Sequence, residues 1–391
     1  MKRAIAKISV FILSVFILSC VVYADSEYTI IVEETPLDAK IIQKDERLLI
    51  PIRSLSETLG IKVTWDNDNQ SAILCFNEEK IIIPENKSYV IKNGELIKIK
   101  SSTFNYSGRI YLEYEDVDSV FGCVSKIDKL NKVITINKAG KMMVHFLNCG
   151  QGDSIFIELP DGECMLIDSS TPEFAPKLID YIKKSGYIKI DYLVATHPHI
   201  DHIGSMADVI ESFDIGTFYT IERAHSTNTY LRMLEAIRKK NCKTVYIKRG
   251  TELLNGSVKC TVLSPDDTDY VRLNNSSAVI KLEYNEISFL LSADAEAAAE
   301  QNILSSGLDL KSDILKVGHH GSLSSTTQNY FEAINPKIAV ISVGKDNVYG
   351  YPSSYVINLI KESGAKLYRT DINGNITVKT DGKNIDVQAQ K

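Results

Sequence analysis

The chain has 391 residues, 44% hydrophobic and 24% charged, with a net charge of −6. At roughly 100–200 residues per domain this length holds two or three units, and the composition excludes wholesale disorder and a polytopic membrane protein. The negative balance excludes a global attraction to nucleic acid but not a local basic groove.

The opening Met1-Lys2-Arg3-Ala4-Ile5-Ala6-Lys7 is basic and leads into an apolar run from Ile8 to Tyr23, shorter than the ~20 residues of a bilayer span. This predicts a signal peptide over residues 1–24, cut between Ala24 and Asp25, with Val22 and Ala24 as the small residues of the cleavage site. The mature protein is therefore expected to be secreted or held at the cell surface. The alternative is a lipoprotein with Cys20 lipidated behind Ile17-Leu18-Ser19, where Leu18 fits poorly. Beyond Cys20 stand Cys75, Cys123, Cys149, Cys164, Cys242 and Cys260, with no Cys-x-x-Cys pair to suggest a thiolate zinc site or redox motif. Export permits disulfides, and Cys149 and Cys164 meet if their strands pair; the plainer expectation is small buried apolar residues.

An internal repeat with an offset of 62 residues follows. Leu49 to Gly60, then Trp65-Asp66 and Ser71 to Leu74, is echoed by Tyr111 to Gly122, then Ile127-Asp128 and Val133 to Ile136. Each copy reads as a strand, a short helix ending at glycine, and a hairpin of alternating apolar residues. Between them Lys80 to Pro84 predicts a strand and Asn93-Gly94 a tight hairpin turn. The pattern resembles the copper amine oxidase N-terminal-like, or stalk, domain of exported bacterial proteins, over residues 25–138. No copper is expected, because the segment holds no histidine and Cys75 and Cys123 alone make a poor copper site. The expected role is a spacer or a module in contact with the cell wall.

After a polar link at Asn137 to Lys141 the character changes to alternating strands and helices. Strands are predicted over 143–146, 154–158, 163–167 and 190–195, with a turn at Asp161-Gly162 and a helix over 174–185. Later strands are predicted over 278–284, 287–291, 314–317 and 338–343, and a helix over 327–334. Three of the seven histidines of the chain fall within six residues, in His197-Pro198-His199-Ile200-Asp201-His202, directly after the 190–195 strand. Imidazole and carboxylate are the ligands that zinc, manganese or iron accept, and a loop after a strand lets them converge on one point.

Residues 142–388 resemble the metallo-β-lactamase-fold domain of the ComEC family, the competence proteins of DNA uptake, and of its secreted relatives. The resemblance is carried by Val144 to Ser154 with its Gly150-Gln151-Gly152-Asp153 turn, by Met165 to Asp168, and by Thr196 to Gly204. Leu273 to Ser277, Leu291 to Glu296, and Leu315 to Ser322 complete it. It implies an α/β fold, an αββα sandwich, behind the small β-rich α+β repeat domain. It also implies two divalent ions, zinc or manganese. His197 and His199 would hold the first, Asp201 and His202 the second, and Asp294 would bridge both. One of His319 and His320 would add a ligand to the first site. Such a pair would bring a shared water toward neutral pKa, with Asp201, Asp294, His320 and Lys316 as the catalytic set, Lys316 contacting a phosphate.

One departure stands out: where the family reads Tyr-Gly-His-Pro, this chain has Tyr349-Gly350-Tyr351-Pro352. A neutral phenol is a weak ligand, which puts the second metal site in doubt, although Tyr351 as a phenolate ligand or a proton donor to a leaving group is the alternative. Asn274, Asn275 and Ser276 are candidates for a metal-side or substrate contact, with a plain turn as the alternative. Ser322, Ser324 and Ser325 are candidates for capping the next helix and presenting N–H groups to an anion. His145 is expected to be structural, His225 exposed, and Asp153 and Asp168 supports that orient the histidines.

The resemblance implies an exported metal-dependent phosphodiesterase, a nuclease acting on extracellular DNA, without the membrane channel that accompanies this domain in DNA uptake. The alternatives are a phosphodiesterase acting on a wall polymer such as teichoic acid phosphocholine, and a wall-associated binding protein whose hydrolase site has decayed, which Tyr351 favours. A β-lactamase is disfavoured, because the asparagine-serine and His-His-Gly-Ser motifs are those of the phosphodiesterase-like branch.

Overall fold

A computed structural model describes residues 24–33, 35–44, 47–76, 79–138 and 140–391. The expected signal peptide and Cys20 lie outside them apart from Ala24. The described residues divide into two compact units, one of 24–28 and Pro36–Val120, the other of Thr29–Thr35 and Phe121–Lys391. This division differs from a sequence boundary at 138. The hairpin of Cys123–Asp128 and Val133–Lys138 groups with the larger unit, where Val133–Lys138 pairs in parallel with Thr29–Val32.

In the smaller unit Arg47–Pro51 pairs antiparallel with Arg109–Glu113, and the helix Ile52–Thr58 buries Ile52 and Leu55. A second sheet runs in the order Glu95–Lys98, Tyr89–Lys92, Glu79–Pro84, Ser71–Phe76, Lys62–Asp66, so Lys62–Asp66 is an edge strand. Asn93 and Gly94 both take positive φ, 52° and 88°, as a two-residue hairpin turn demands. The two hairpins of the repeat turn alike. Asp66 accepts from the backbone N–H groups of Asp68 and Asn69, and Asp128 from those of Leu130 and Asn131.

The larger unit is a sandwich of an eight-stranded and a seven-stranded sheet. Strand residues point alternately to the two faces of a sheet. Ile155, Ile157, Phe289 and Leu291 face the common core between the sheets. Phe156 faces instead a layer carrying the helices Ala175–Lys184, Met206–Ser212 and Asn228–Lys240. Leu290 does the same toward Ala297–Ser305, Gln328–Ile334 and Ser354–Ser363. Strands buried on both faces read as continuous apolar runs, and covering each sheet with helices makes the four αββα layers. Within each sheet, parallel strands end at the same edge, and there the loops after Lys189–Ala195 and after Ile287–Leu291 and Ile314–Lys316 meet. Cys75, Cys149, Cys164, Cys242 and Cys260 are free thiols. Burial pushes Cys149 and Cys164 up to about 12, which makes them inert packing residues.

Candidate metal centre

The histidine loop is fixed from below by Asp168, which ends the strand Cys164–Ile167 in a left-handed turn at φ 58°. One of its oxygens accepts the Thr196 N–H at 2.9 Å; the other accepts the Thr196 hydroxyl at 2.6 Å and faces His202 Nδ1 at 2.7 Å. Holding Nδ1 this way leaves His202 Nε2 pointing into the site. His199 starts the four-residue helix Ile200–Ile203, and its carbonyl accepts from His202, so the helical turn sets Asp201 and His202 side by side. Gly152 packs beneath this turn at φ 141°, where any side chain would collide with the Asp201 carbonyl.

Asp294 arrives from the opposite sheet. Its Oδ2 lies 3.3 Å from His202 Nε2 and 3.8 Å from His197 Nε2, and its Oδ1 3.7 Å from His320 Nε2. His319 and His320 both hold left-handed backbone, φ 45° and 53°, a conformation costly for non-glycine residues and found where function requires it. His320 Nδ1 sits 2.9 Å from the Ser342 carbonyl, to which it donates, so its Nε2 faces Asp201 Oδ2 at 3.4 Å.

Three groups of ligand-type atoms lie close together. Asp153, Asp168 and His202 form one, in which Asp168 already holds His202 Nδ1. The other two share Asp294: Asp201, His202, Asp294 and His320, and His197, His199 and Asp294. Among their buried atoms, His202 Nε2, His320 Nε2 and Asp294 Oδ1 have no hydrogen-bond partner. Buried polar atoms left unpaired are costly, and three converging on one space fit a cation. The potential agrees. Burial depresses His202 and His320, yet the carboxylates of Asp294 with Asp168, and of Asp294 with Asp153, outweigh it. They hold His202 well above its ordinary pKa and His320 up to about 10. Burial likewise raises Asp201 and Asp294, but the imidazoles bring Asp201 down to about 2 and Asp294 well below the carboxylate range. Carboxylates that favour the cationic imidazoles in this way make the potential of the site negative, which a divalent cation would relieve in place of the protons. His197, depressed first by burial and then by His202, is a neutral ligand.

Family models match both parts of the chain. The metallo-beta-lactamase superfamily matches residues 147–345, and the copper amine oxidase N-terminal domain residues 30–136. The chain belongs to the metallo-beta-lactamase superfamily. Among its curated relatives, ComE operon protein 3 of Bacillus subtilis is 30% identical over 250 residues, 60% of this chain and 32% of that protein. Recombination protein 2 of Haemophilus influenzae is 25% identical over 252 residues, 63% and 30%, and competence protein ComA of Neisseria gonorrhoeae 25% over 230, 58% and 30%. The chain thus spans about a third of the length of these relatives. Solved structures with a similar fold include the metallo-beta-lactamase fold protein YhfI from Bacillus subtilis, at 12% identity and TM-score 0.44, covering 61% of this chain and all of that one. Tm1679, a metal-dependent hydrolase of the beta-lactamase superfamily, has 13% identity and TM-score 0.43, covering 63% and 100%.

Within this metallo-beta-lactamase domain several expected roles move. One of His319 and His320 was expected at the first group; His320 sits in the second instead, its Nδ1 tied to Ser342 and its Nε2 facing Asp201. His319 joins neither. Its Nδ1 is 3.4 Å from Glu296, Tyr351 packs edge-on at 5.5 Å, and its Nε2 stands 3.7 Å from Asp294. Tyr351 packs on the His319 ring, and the second group, whose filling it put in doubt, is the fuller of the two. Lys316 does not reach a substrate. It is wholly buried, its ammonium 2.9 Å from Asp153 and donating to the Val317 carbonyl. Asp153, otherwise raised by burial, is driven far below its usual range by Lys316 and His320.

The serines do not form an anion cradle either. Ser325 donates to the Gly318 carbonyl and Ser324 to Glu296. The N–H groups of Thr326 and Thr327 at the helix start are taken by the Glu300 carboxylate. Asn275 accepts the Glu296 and Ala299 N–H groups at the start of helix Ala297–Ser305, and Asn274 stands 3.4 Å from His319. His145 bonds Glu158, Thr377 and Tyr181 and is structural; His225 is half-buried beside Thr227. Glu296 and Glu300 escaped the sequence reading. Their signal was position alone, two and six residues after Asp294, and only the packing of two distant loops gives them partners.

Proposed function

We propose that the chain is an exported phosphodiesterase that cleaves DNA. The observation carrying this reading is the double ligand group sharing Asp294, with three buried ligand atoms pointed into it unpaired. His197, His199 and Asp294 would hold one ion and Asp201, His202, His320 and Asp294 a second; when bound, they supply Lewis acidity that brings water toward neutral pKa and screens charge on phosphate oxygens. The chain's residues do the rest. Asp168 and the Ser342 carbonyl fix the tautomers of His202 and His320. The Lys316–Asp153 pair stiffens the floor behind them. His319, partly exposed and held by Glu296, offers Nε2 at the rim, where it meets a substrate oxygen.

DNA is favoured because similar proteins carry the names competence protein and recombination protein. No helix among the described residues is long and apolar enough to cross a membrane. A wall polymer with phosphodiester links is the second reading, since the same ligand set serves it. Decay of the site is disfavoured by the complete group around His320. The test is metal content of the purified chain, with cleavage of single- and double-stranded DNA and bis(p-nitrophenyl) phosphate in zinc or manganese, beside Asp294→Ala. Metal-dependent DNA cleavage lost in the variant supports the reading; turnover of the small diester without DNA cleavage moves it to a wall polymer, and bound metal without any turnover sinks it.

A further inference from the structure

The smaller unit carries a cavity of about 460 Å³, the size of a small-ligand site. Its floor is sheet: Val63 and Trp65 share one face of the edge strand Lys62–Asp66, with Ala72 directly opposite Trp65 on the neighbouring strand. Helix Ile52–Thr58 contributes Arg53, Ser54 and Glu57 to the lining, and the turn before strand Arg109–Glu113 contributes Ser107, Gly108 and Arg109. Trp65 is the only tryptophan of the chain and is 37% exposed. Among the described residues no other aromatic ring stacks on it. Arg53 and Glu57 approach to 3.7 Å with both side chains more than half exposed. Such a pair is worth little and leaves the guanidinium open to a better anion.

The internal repeat supplies a control. At the offset of 62, Ile127 occupies the place of Trp65 and Glu115 that of Arg53. The second hairpin nevertheless forms in the same register around the same aspartate turn, Asp128 for Asp66. The scaffold demands neither the indole nor the guanidinium.

We propose that this cavity binds one nucleotide of a single-stranded DNA, its base stacked on Trp65 and its phosphate held by Arg53 and Arg109. A base has a flat π-face that an indole stacks with whatever the sequence, and arginine matches phosphate bidentately. Glu57 accepts from the exocyclic amines of adenine, guanine or cytosine. Choosing a nucleotide over another flat anion rests on the phosphodiesterase reading; the pocket and its charges do not. The unit then retains the polymer that the hydrolase cuts, which raises its effective concentration.

Because Trp65 is the sole tryptophan, its emission reports on this cavity alone. The full chain, kept from cleaving by chelator and, in parallel, by Asp294→Asn, is titrated with an eight-residue oligothymidylate and with an abasic octamer of equal charge. The expected result is saturable quenching by the oligothymidylate, at least tenfold weaker with the abasic strand. The double variant R53Q/R109Q weakens it at least tenfold again without altering the unliganded emission. Equal binding of both strands, or a silent tryptophan at low salt, overturns the proposal. Cleavage of DNA by the metal-loaded chain with a silent tryptophan overturns this site and leaves the metal centre standing; quenching without cleavage does the reverse.

Discussion

At the scale of single residues, the two adjacent histidines divide their labour. His320 has Nδ1 fixed and Nε2 among Asp201, His202 and Asp294, whereas His319 is held by Glu296 and Tyr351 outside both ligand groups. His320→Ala is therefore expected to lose about half the bound metal by elemental analysis. His319→Ala is expected to keep its metal and lose roughly 10²-fold in kcat/KM, the size of one lost donor at a transition state. Equal metal loss in both variants would refute the division. Lys316→Met should cost about 3–5 kcal/mol in denaturant unfolding, because it leaves Asp153 charged and buried without its partner. A residue that contacted substrate would cost activity and little stability.

At the scale of elements, the loops that build the centre are tied by carboxylates to the starts of helices and ends of strands. Glu300 replaces a hydroxyl cap by taking the N–H groups of Thr326 and Thr327, so Glu300→Ala should cost about 1–2 kcal/mol, read as a shift in the denaturation midpoint. At the end of the interior strand Ile155–Glu158, burial raises Glu158, but the hydrogen bond from His145 and the charge of Lys126 bring it down from 4.5 to about 2. Folding favours its charged form, so its stabilisation, about 3 kcal/mol, is complete above pH 4.5 and lost as pH falls through about 2. Acid titration of stability should flatten over that window in Glu158→Gln; an unchanged slope would rule the network out as its source.

At the scale of the whole molecule, the centre joins the two sheets of the sandwich: His197, His199, Asp201 and His202 come from one and Asp294 and His320 from the other. A bound ion is a cross-link that exists only in the folded state. Stripping metal with a chelator should lower Tm by about 5–10 °C, the effect of a ligand present at about a hundredfold over its Kd, and zinc or manganese should restore it. A Tm indifferent to chelation would mean that the sheets close without help from the site.

The sequence alone determined what is local. The His197 to His202 spacing, the repeat at offset 62, and the alternation that buries one strand face between sheets and the other under helices are written within a few residues of each other. Most predicted strands and helices formed within a residue or two, among them Met142–Phe146, Ile287–Leu291 and Gln328–Ile334. Tertiary structure decided what depends on loops far apart in the chain. Which of His319 and His320 faces the ligand groups is set by the Ser342 carbonyl and Glu296. Whether Lys316 meets substrate or Asp153 is set by a loop more than 160 positions earlier. Spacing carries the identity of ligand types, because neighbouring residues share a local geometry. The direction in which a ring nitrogen or an ammonium points depends on its second partner, and that partner exists only once the two sheets have closed.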